Sequence, residues 1–181
     1  MNAITMKNIL ITGAPGIGKT TLIKKLADAL NDFRPTGFYT TEIREGGVRK
    51  GFELVSLDGR RGVLSHEKIR SPYRVGKYGV DIRGFDDFIS SIPFLSERSG
   101  LIIIDEIGKM ESLSNKFTGL IREILDSEKP LIATIALKGG GVISEIKKRD
   151  DVEIFEISRE NRDSLALEIL RSIRDRWQIG R

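Results

Sequence analysis

The sequence predicts an α/β protein: a mostly parallel sheet flanked by helices, with an antiparallel meander inserted in it. Three observations carry that reading. Residues 7–12 (KNILIT) form a short apolar run that enters a glycine-rich segment, and helical spacing follows at once. Residues 101–104 (LIII) and 130–137 (PLIATIAL) are continuous apolar runs of strand length, as expected of strands covered on both faces. Strand-like and helix-like segments alternate from there to the end of the chain, which is the pattern of right-handed βαβ units in one sheet.

The elements follow in order. Leu22, Ile23, Leu26, Ala27 and Leu30 recur at helical spacing and predict a helix over 20–30. Residues 36–44 and 48–57 read as two strands joined at Glu45-Gly46-Gly47, and Asp58-Gly59 turns the chain into a third over 61–65. These three make the meander. Residues 71–81 (SPYRVGKYGVD) are expected as a loop. A helix is expected over 84–99, kinked or divided by Pro93, whose ring and missing N–H break the helical ladder. Leu113, Phe117, Leu120, Ile121, Ile124 and Leu125 mark an amphipathic helix. Beyond the run at 130–137, Gly139-Gly140-Gly141 is a turn, 142–148 a short helix and 152–157 a strand. Leu165, Ile169, Ile173 and Trp177, spaced by four, place a last helix over 159–177.

Composition sets the outer limits. The chain has 181 residues and no Pro/Gly/Ser-rich linker, which suits one domain over 1–181. Hydrophobic residues are 39% and charged residues 31%, a balance that builds a core rather than a disordered chain. No apolar run reaches membrane-span length, and the polar N-terminus enters the first strand without a signal-peptide pattern. Cysteine is absent, which excludes a disulfide framework, a thiolate metal site and a Cys nucleophile. The cytoplasm is the simplest compartment. The net charge of +4 comes from 30 basic residues interspersed with 26 acidic ones. There is no basic block and no stacking aromatic pattern, so a nucleic-acid face is a lesser alternative.

The chemistry concentrates in two places. Gly13-Ala14-Pro15-Gly16-Ile17-Gly18-Lys19-Thr20 fits G-x-x-x-x-G-K-[ST], set between a strand and a helix as that motif requires. A triphosphate is dense in charge and must be held by close-packed donors. Gly13, Gly16 and Gly18 let the backbone turn its N–H groups inward, and the helix presents its positive end. Lys19 is a mobile charge for the β and γ phosphates, and Thr20 is placed to ligate Mg²⁺. The second place is Asp105-Glu106, at the end of an apolar strand. Ligands of such sheets bind outside the C-terminal strand ends, so both motifs can serve one site. Asp105 reads as the Walker B acid that holds Mg²⁺ opposite Thr20. Hydrolysis needs a group that orients or deprotonates water, and Glu106 is the candidate base. The sole glutamine, Gln178, lies near the C-terminus, far from either motif in sequence.

Weaker candidates remain. Thr134, near the end of the following strand, could sense the γ-phosphate, and Lys109 could reach the phosphates. Arg44, Arg74, Arg159 and Arg162 could each supply an internal arginine finger. The lone His66 reads as incidental.

These motifs combine with residues 37–44 (GFYTTEIR), 75–81 (VGKYGVD), 104–111 (IDEIGKME) and Asn161-Arg162-Asp163. Together they resemble the THEP-type nucleoside-triphosphatases, a family that includes the vertebrate cancer-related nucleoside-triphosphatase. The resemblance covers essentially the whole chain. It implies one Rossmann-like P-loop domain related to RecA/AAA-type ATPases, and a monomer. It also implies slow Mg²⁺-dependent hydrolysis of nucleoside triphosphates with broad base tolerance. By the same resemblance, nucleotide contacts fall on Gly13 to Thr20 and on Leu101 to Gly108, including Ile107. The absence of a guanine-reading N-K-x-D motif agrees with broad tolerance. Two other classes stay open: a small-molecule or nucleotide kinase, with residues 71–81 as a lid, and a nucleotide-switched nucleic-acid-binding module.

Overall fold

The computed structural model describes residues 7–177. The nine strands of the described residues join in one sheet. They are β1 (Asn8–Thr12), β2 (Pro35–Glu45), β3 (Val48–Ser56), β4 (Arg61–His66), β5 (Arg74–Val75), β6 (Tyr78–Val80), β7 (Leu101–Ile107), β8 (Leu131–Ile135) and β9 (Val152–Glu156). The order across the sheet is β5-β6-β4-β3-β2-β7-β8-β1-β9. From β2 to β9 neighbouring strands are parallel, and from β2 to β5 they are antiparallel. The expected meander is thus an extension of the parallel sheet and shares β2 with it.

The helices are α1 (Lys19–Ala29), α2 (Ile82–Ser90), α3 (Asn115–Asp126), α4 (Val142–Lys147) and α5 (Leu165–Arg176). Alternation along the buried strands assigns them to two faces. Leu10, Ile102, Ile104, Ala133 and Ile135 pack with α2, α3 and α4. Ile9, Ile11, Leu101, Ile103 and Ile132 pack with α1 and α5. Continuous apolar runs were needed because both faces are covered. No helix of the described residues is long and apolar enough to cross a membrane.

Three expectations are revised by local chemistry. Residues 71–81 are not a free loop: β5 and β6 form a hairpin around Gly76, whose φ is +59°, and β6 pairs with β4. The helix expected over 84–99 begins at Ile82, because the Asp81 side chain accepts the Gly84 N–H at 2.9 Å and caps it. It ends at Ser90, and turns carry the chain past Pro93 to β7. The last helix starts at Leu165 rather than 159. Asn161 accepts the Ser158 N–H at 2.8 Å and donates to the Glu156 carbonyl at 2.8 Å, a turn that competes with the helical ladder.

β2 meets β7 with almost no space to spare. A Cβ on Gly37, whose φ is +141°, would stand 1.7 Å from the Ile103 carbonyl oxygen. Next to it, Phe38 is fully buried and packs edge-on against Phe85, Phe88, Phe94 and Phe117, with centroids 5.8 to 6.4 Å apart. Gly37→Ala is expected to lower the unfolding free energy by more than about 4 kcal/mol, since backbone rather than a side chain must move. Urea denaturation measures it. A loss under about 1 kcal/mol would mean that β2 and β7 do not pair in this register.

Candidate functional site

At the end of β1 the chain turns over the sheet edge into α1. Gly13 is required by a close approach: a Cβ there would lie 2.7 Å from the Ile157 carbonyl oxygen. Gly16 and Gly18 have φ of +73° and +113°, which side chains rarely adopt. Gly18 is the N-cap of α1, with no side-chain cap and no acid in the first turn. The N-terminal end of α1 is therefore left to an anion, and its dipole favours one. Lys19 Nζ donates to the Gly13 and Ala14 carbonyls at 3.1 and 3.3 Å, so its ammonium is folded over the loop.

Asp105 lies across from this loop, 1% exposed. Its Oδ2 accepts from the Thr20 hydroxyl at 2.7 Å and from the Thr40 hydroxyl at 3.5 Å. Its Oδ1 accepts from Thr134 at 2.6 Å. The side chain proposed as a phosphate sensor thus holds the acid, and it is itself fully buried. The Thr20 hydroxyl and the Asp105 carboxylate are hard oxygen donors within one hydrogen bond of each other. That set suits Mg²⁺, which keeps several waters and takes further oxygens from phosphates. No cluster of three or more His, Asp or Glu able to hold a metal occurs among the described residues, so an ion here would rely on such outside oxygens.

A cleft of about 770 Å³ opens above the loop. Gly13, Pro15, Gly16, Gly18, Lys19 and Thr20 line one side, and Thr40, Thr41 and Glu42 line part of the other. Glu106 enters it from β7, beside Lys109, Met110 and Glu111. Ala14, Ile17, Asp105, Ile107 and Gly108 are not lining residues. The Ile107 side chain is fully buried in the core, and its carbonyl accepts the Ala136 N–H at 3.1 Å. Gly108 has a different use. A Cβ there would come within 2.6 Å of Glu106 Oε1 and 2.9 Å of Glu111 Oε2, so glycine lets two carboxyl groups pack together.

Those two acids are perturbed. Burial raises the Glu106 pKa, the Lys19 ammonium lowers it and the Asp105 charge raises it, with a net upward shift. Glu111 is 5% exposed, and burial, together with the Glu106 charge, pushes its carboxyl up to about 8. Hydrogen bonds from its own N–H and that of Gly108 pull the other way.

The arginine candidates do not reach the cleft. Arg44 pairs with Glu42 at 2.5 Å, and Arg74 donates to the Lys77 carbonyl at 2.6 Å. Arg159 and Arg162 are exposed on the turns before α5. His66 lies in the meander, 4.0 Å from Glu45. The arginine that lines the cleft is Arg49, which sequence reasoning passed over along with Thr40 and Glu111. For Glu111 a signal existed: an acid following Ile107, Gly108 and Met110 so closely after Asp105-Glu106. Thr40 lies in the 37–44 segment that carries the resemblance, but its partner does not show there; for Arg49 no signal existed, because a strand residue acquires its role from what lies across the sheet.

The Glu111 shift has a sign. Its folded pKa of about 8 lies above the ordinary 4.5, so the folded state holds a proton that the unfolded chain releases. The protonated acid's advantage is fully present below pH 4.5 and is lost as pH rises to about 8, and stability falls across that window. Glu111→Gln is expected to flatten this slope in denaturation curves taken between those limits. An unchanged slope would show that the acid is not buried as described.

A family model described as NTPase matches residues 8–170. Nucleoside-triphosphatase THEP1 of Thermotoga sp. strain RQ2 is 50% identical over 163 residues, covering 90% of this chain and 92% of that protein. The human cancer-related nucleoside-triphosphatase is 38% identical, covering 91% and 95%. The crystal structure of THEP1 from Aquifex aeolicus superposes with a TM-score of 0.81 at 36% identity, over 91% of this chain and 98% of that one. The solution structure of a human cancer-related nucleoside triphosphatase gives 0.78 at 35%, over 93% and 98%. A glycine loop on an uncapped helix, a strand-end acid facing it and relatives matched along nearly their whole length agree: this chain belongs to the NTPase family.

Proposed function

We propose that this protein hydrolyses nucleoside triphosphates to the diphosphate and phosphate, with Mg²⁺ and with little regard for the base. The observation that carries the reading is the 2.7 Å bond from Thr20 to Asp105, with Glu106 next along β7. It brings an anion cradle, a pair of candidate cation ligands and a candidate base next to one another. The names of the relatives support the same activity.

Each residue has a task in this reading. The loop N–H groups and the α1 terminus bind the phosphates. Lys19 moves from the Gly13 and Ala14 carbonyls to the β and γ oxygens, exchanging two neutral acceptors for anionic ones. Held by Thr20 and Asp105, Mg²⁺ would neutralise charge on the same oxygens. Water attacks the γ phosphorus in line, its proton passes to Glu106, and the bridging oxygen leaves with the diphosphate. The raised proton affinity of Glu106 suits it to that step. Leu137, 41% exposed on the cleft rim, offers a base an apolar face without reading its edge.

Phosphate release from ATP, GTP, CTP and UTP with Mg²⁺ tests the reading, and release from all four is expected. Glu106→Gln should lower turnover by about 10² to 10⁴-fold and leave nucleotide binding largely intact. Full turnover in that variant would remove Glu106 as the base. Lys19→Ala should weaken both binding and turnover. Unchanged kinetics there would take Lys19 out of the mechanism.

A further inference from the structure

The cleft is longer than a phosphate cradle requires. Asp105 Oδ2 has Thr20 on one side and Thr40 of β2 on the other, which marks a crossing point. Past Thr40 the cleft runs along the meander and ends on Phe52, Leu64, Val75 and Met110. Leu64 is 1% exposed, and the other three are partly buried against the same core cluster. Such a wall offers nothing to a triphosphate, whose oxygens need donors and cations. Near it, Glu42 and Arg49 stand side by side at 2.9 Å, an acceptor next to a donor. Arg49 is held in place: Nε donates to the Tyr78 hydroxyl at 3.0 Å, and the guanidinium lies 5.2 Å over the Phe52 ring. Its Nη2 has no protein hydrogen bond among the described residues. The hairpin of β5 and β6 fixes Val75 in this wall rather than leaving it on a loose lid.

Direction decides what the wall serves. The glycine loop and Lys19 orient a nucleotide with its terminal phosphate toward Asp105 and Glu106. In-line transfer brings the attacking oxygen from the side opposite the leaving group. In the strand order, β7 separates the loop side, on β1 and β8, from the meander side, on β2 to β5. The attacking oxygen therefore comes from the meander side, where the apolar wall lies. Water needs no such wall.

We infer that the meander wall binds a second substrate, a heteroaromatic primary alcohol of the nucleoside class, whose hydroxyl takes the place of the attacking water. The inference rests on the roles given above to Lys19 and Glu106. The ring lies against Phe52 and Val75, and the Glu42–Arg49 pair meets the donor and acceptor groups on its edge. The hydroxyl oxygen bonds to the γ phosphorus as the bond from that phosphorus to the bridging oxygen breaks. The hydroxyl proton passes to Glu106 and on to solvent. The products are a nucleoside monophosphate and the nucleoside diphosphate. With no alcohol bound, water occupies the same place and the outcome is hydrolysis.

The test uses ATP radiolabelled in its γ-phosphate, Mg²⁺ and, singly, adenosine, guanosine, cytidine, uridine and thymidine, with labelled nucleoside monophosphate separated from labelled phosphate. At least one nucleoside is expected to take the label. Phe52→Ala, which empties the wall, and Val75→Trp, which fills it, should each cut that transfer by about 10-fold or more. Phosphate release without nucleoside should stay at the wild-type rate in both. No label in any monophosphate, with phosphate released normally, would overturn the inference. It would equally fall if both variants raised the KM for ATP with no nucleoside present, because the wall would then hold the base of the nucleotide itself. Transfer without any acceptor-free release would remove the hydrolase reading and leave the inference standing. Neither transfer nor release would remove both.

Discussion

A single buried carboxylate, that of Asp105, holds the functional edge of the sheet together. Ionised and buried without partners, such a group would cost several kcal/mol. Three hydroxyls meet it instead: Thr20 from α1, Thr40 from β2 and Thr134 from β8. Each belongs to a different element, so satisfying one charge fixes the relative positions of the glycine loop, the meander and the central strands. In the proposed mechanism the same oxygens would be hard ligands for Mg²⁺ beside the glycine loop. Structural and chemical demands thus fall on one residue, and neither can be altered without the other.

The meander depends on the unusual double duty of β2. Its start, Pro35 to Phe38, pairs with β7 in the buried parallel sheet, while Phe38 to Glu45 pair with β3. Past Phe38 it outruns its parallel neighbour and becomes a wall rather than a layer. Gly37 allows the close approach to Ile103 at the point of departure, and the cluster of phenylalanine rings around Phe38 anchors it. One face of the meander packs on that core. Val48 and Val63, at 54% and 43% exposed, show that the extension is not covered as the parallel strands are. What would have been an open sheet edge becomes one side of the cleft.

The short turn after β7 concentrates unfavourable charge. Glu106 and Glu111 both crowd Gly108, where a Cβ would stand within 3 Å of a carboxyl oxygen of each. Burial raises both pKa values; the Glu106 and Asp105 charges add to the rise at Glu111, while at Glu106 the Lys19 ammonium opposes it. Stability alone would select against two desolvated carboxyl groups where one lysine, Lys19, offsets the burial of Glu106 but not that of Glu111. Such local conflict is what functional sites retain when the rest of the fold can carry it.

Much of this was legible in the residues themselves. Continuous apolar runs specify strands buried on both faces, because only such strands need no polar side. The glycine loop needs little more than its own sequence, since positive φ at Gly16 and Gly18 and the helix terminus are local properties. Local competition set the limits of that reading: the side chains of Asp81 and Asn161 moved helix starts by two to six residues, because a cap or turn bond outweighs a hydrophobic period there. Other features came only from tertiary structure. The burial of Glu111, the choice of Arg49 over Arg44, Arg74, Arg159 and Arg162, and the use of Thr134 to hold Asp105 all depend on which strands lie beside one another. Burial and long-range hydrogen bonds are properties of that arrangement, and no residue carries them in its own neighbourhood of the chain.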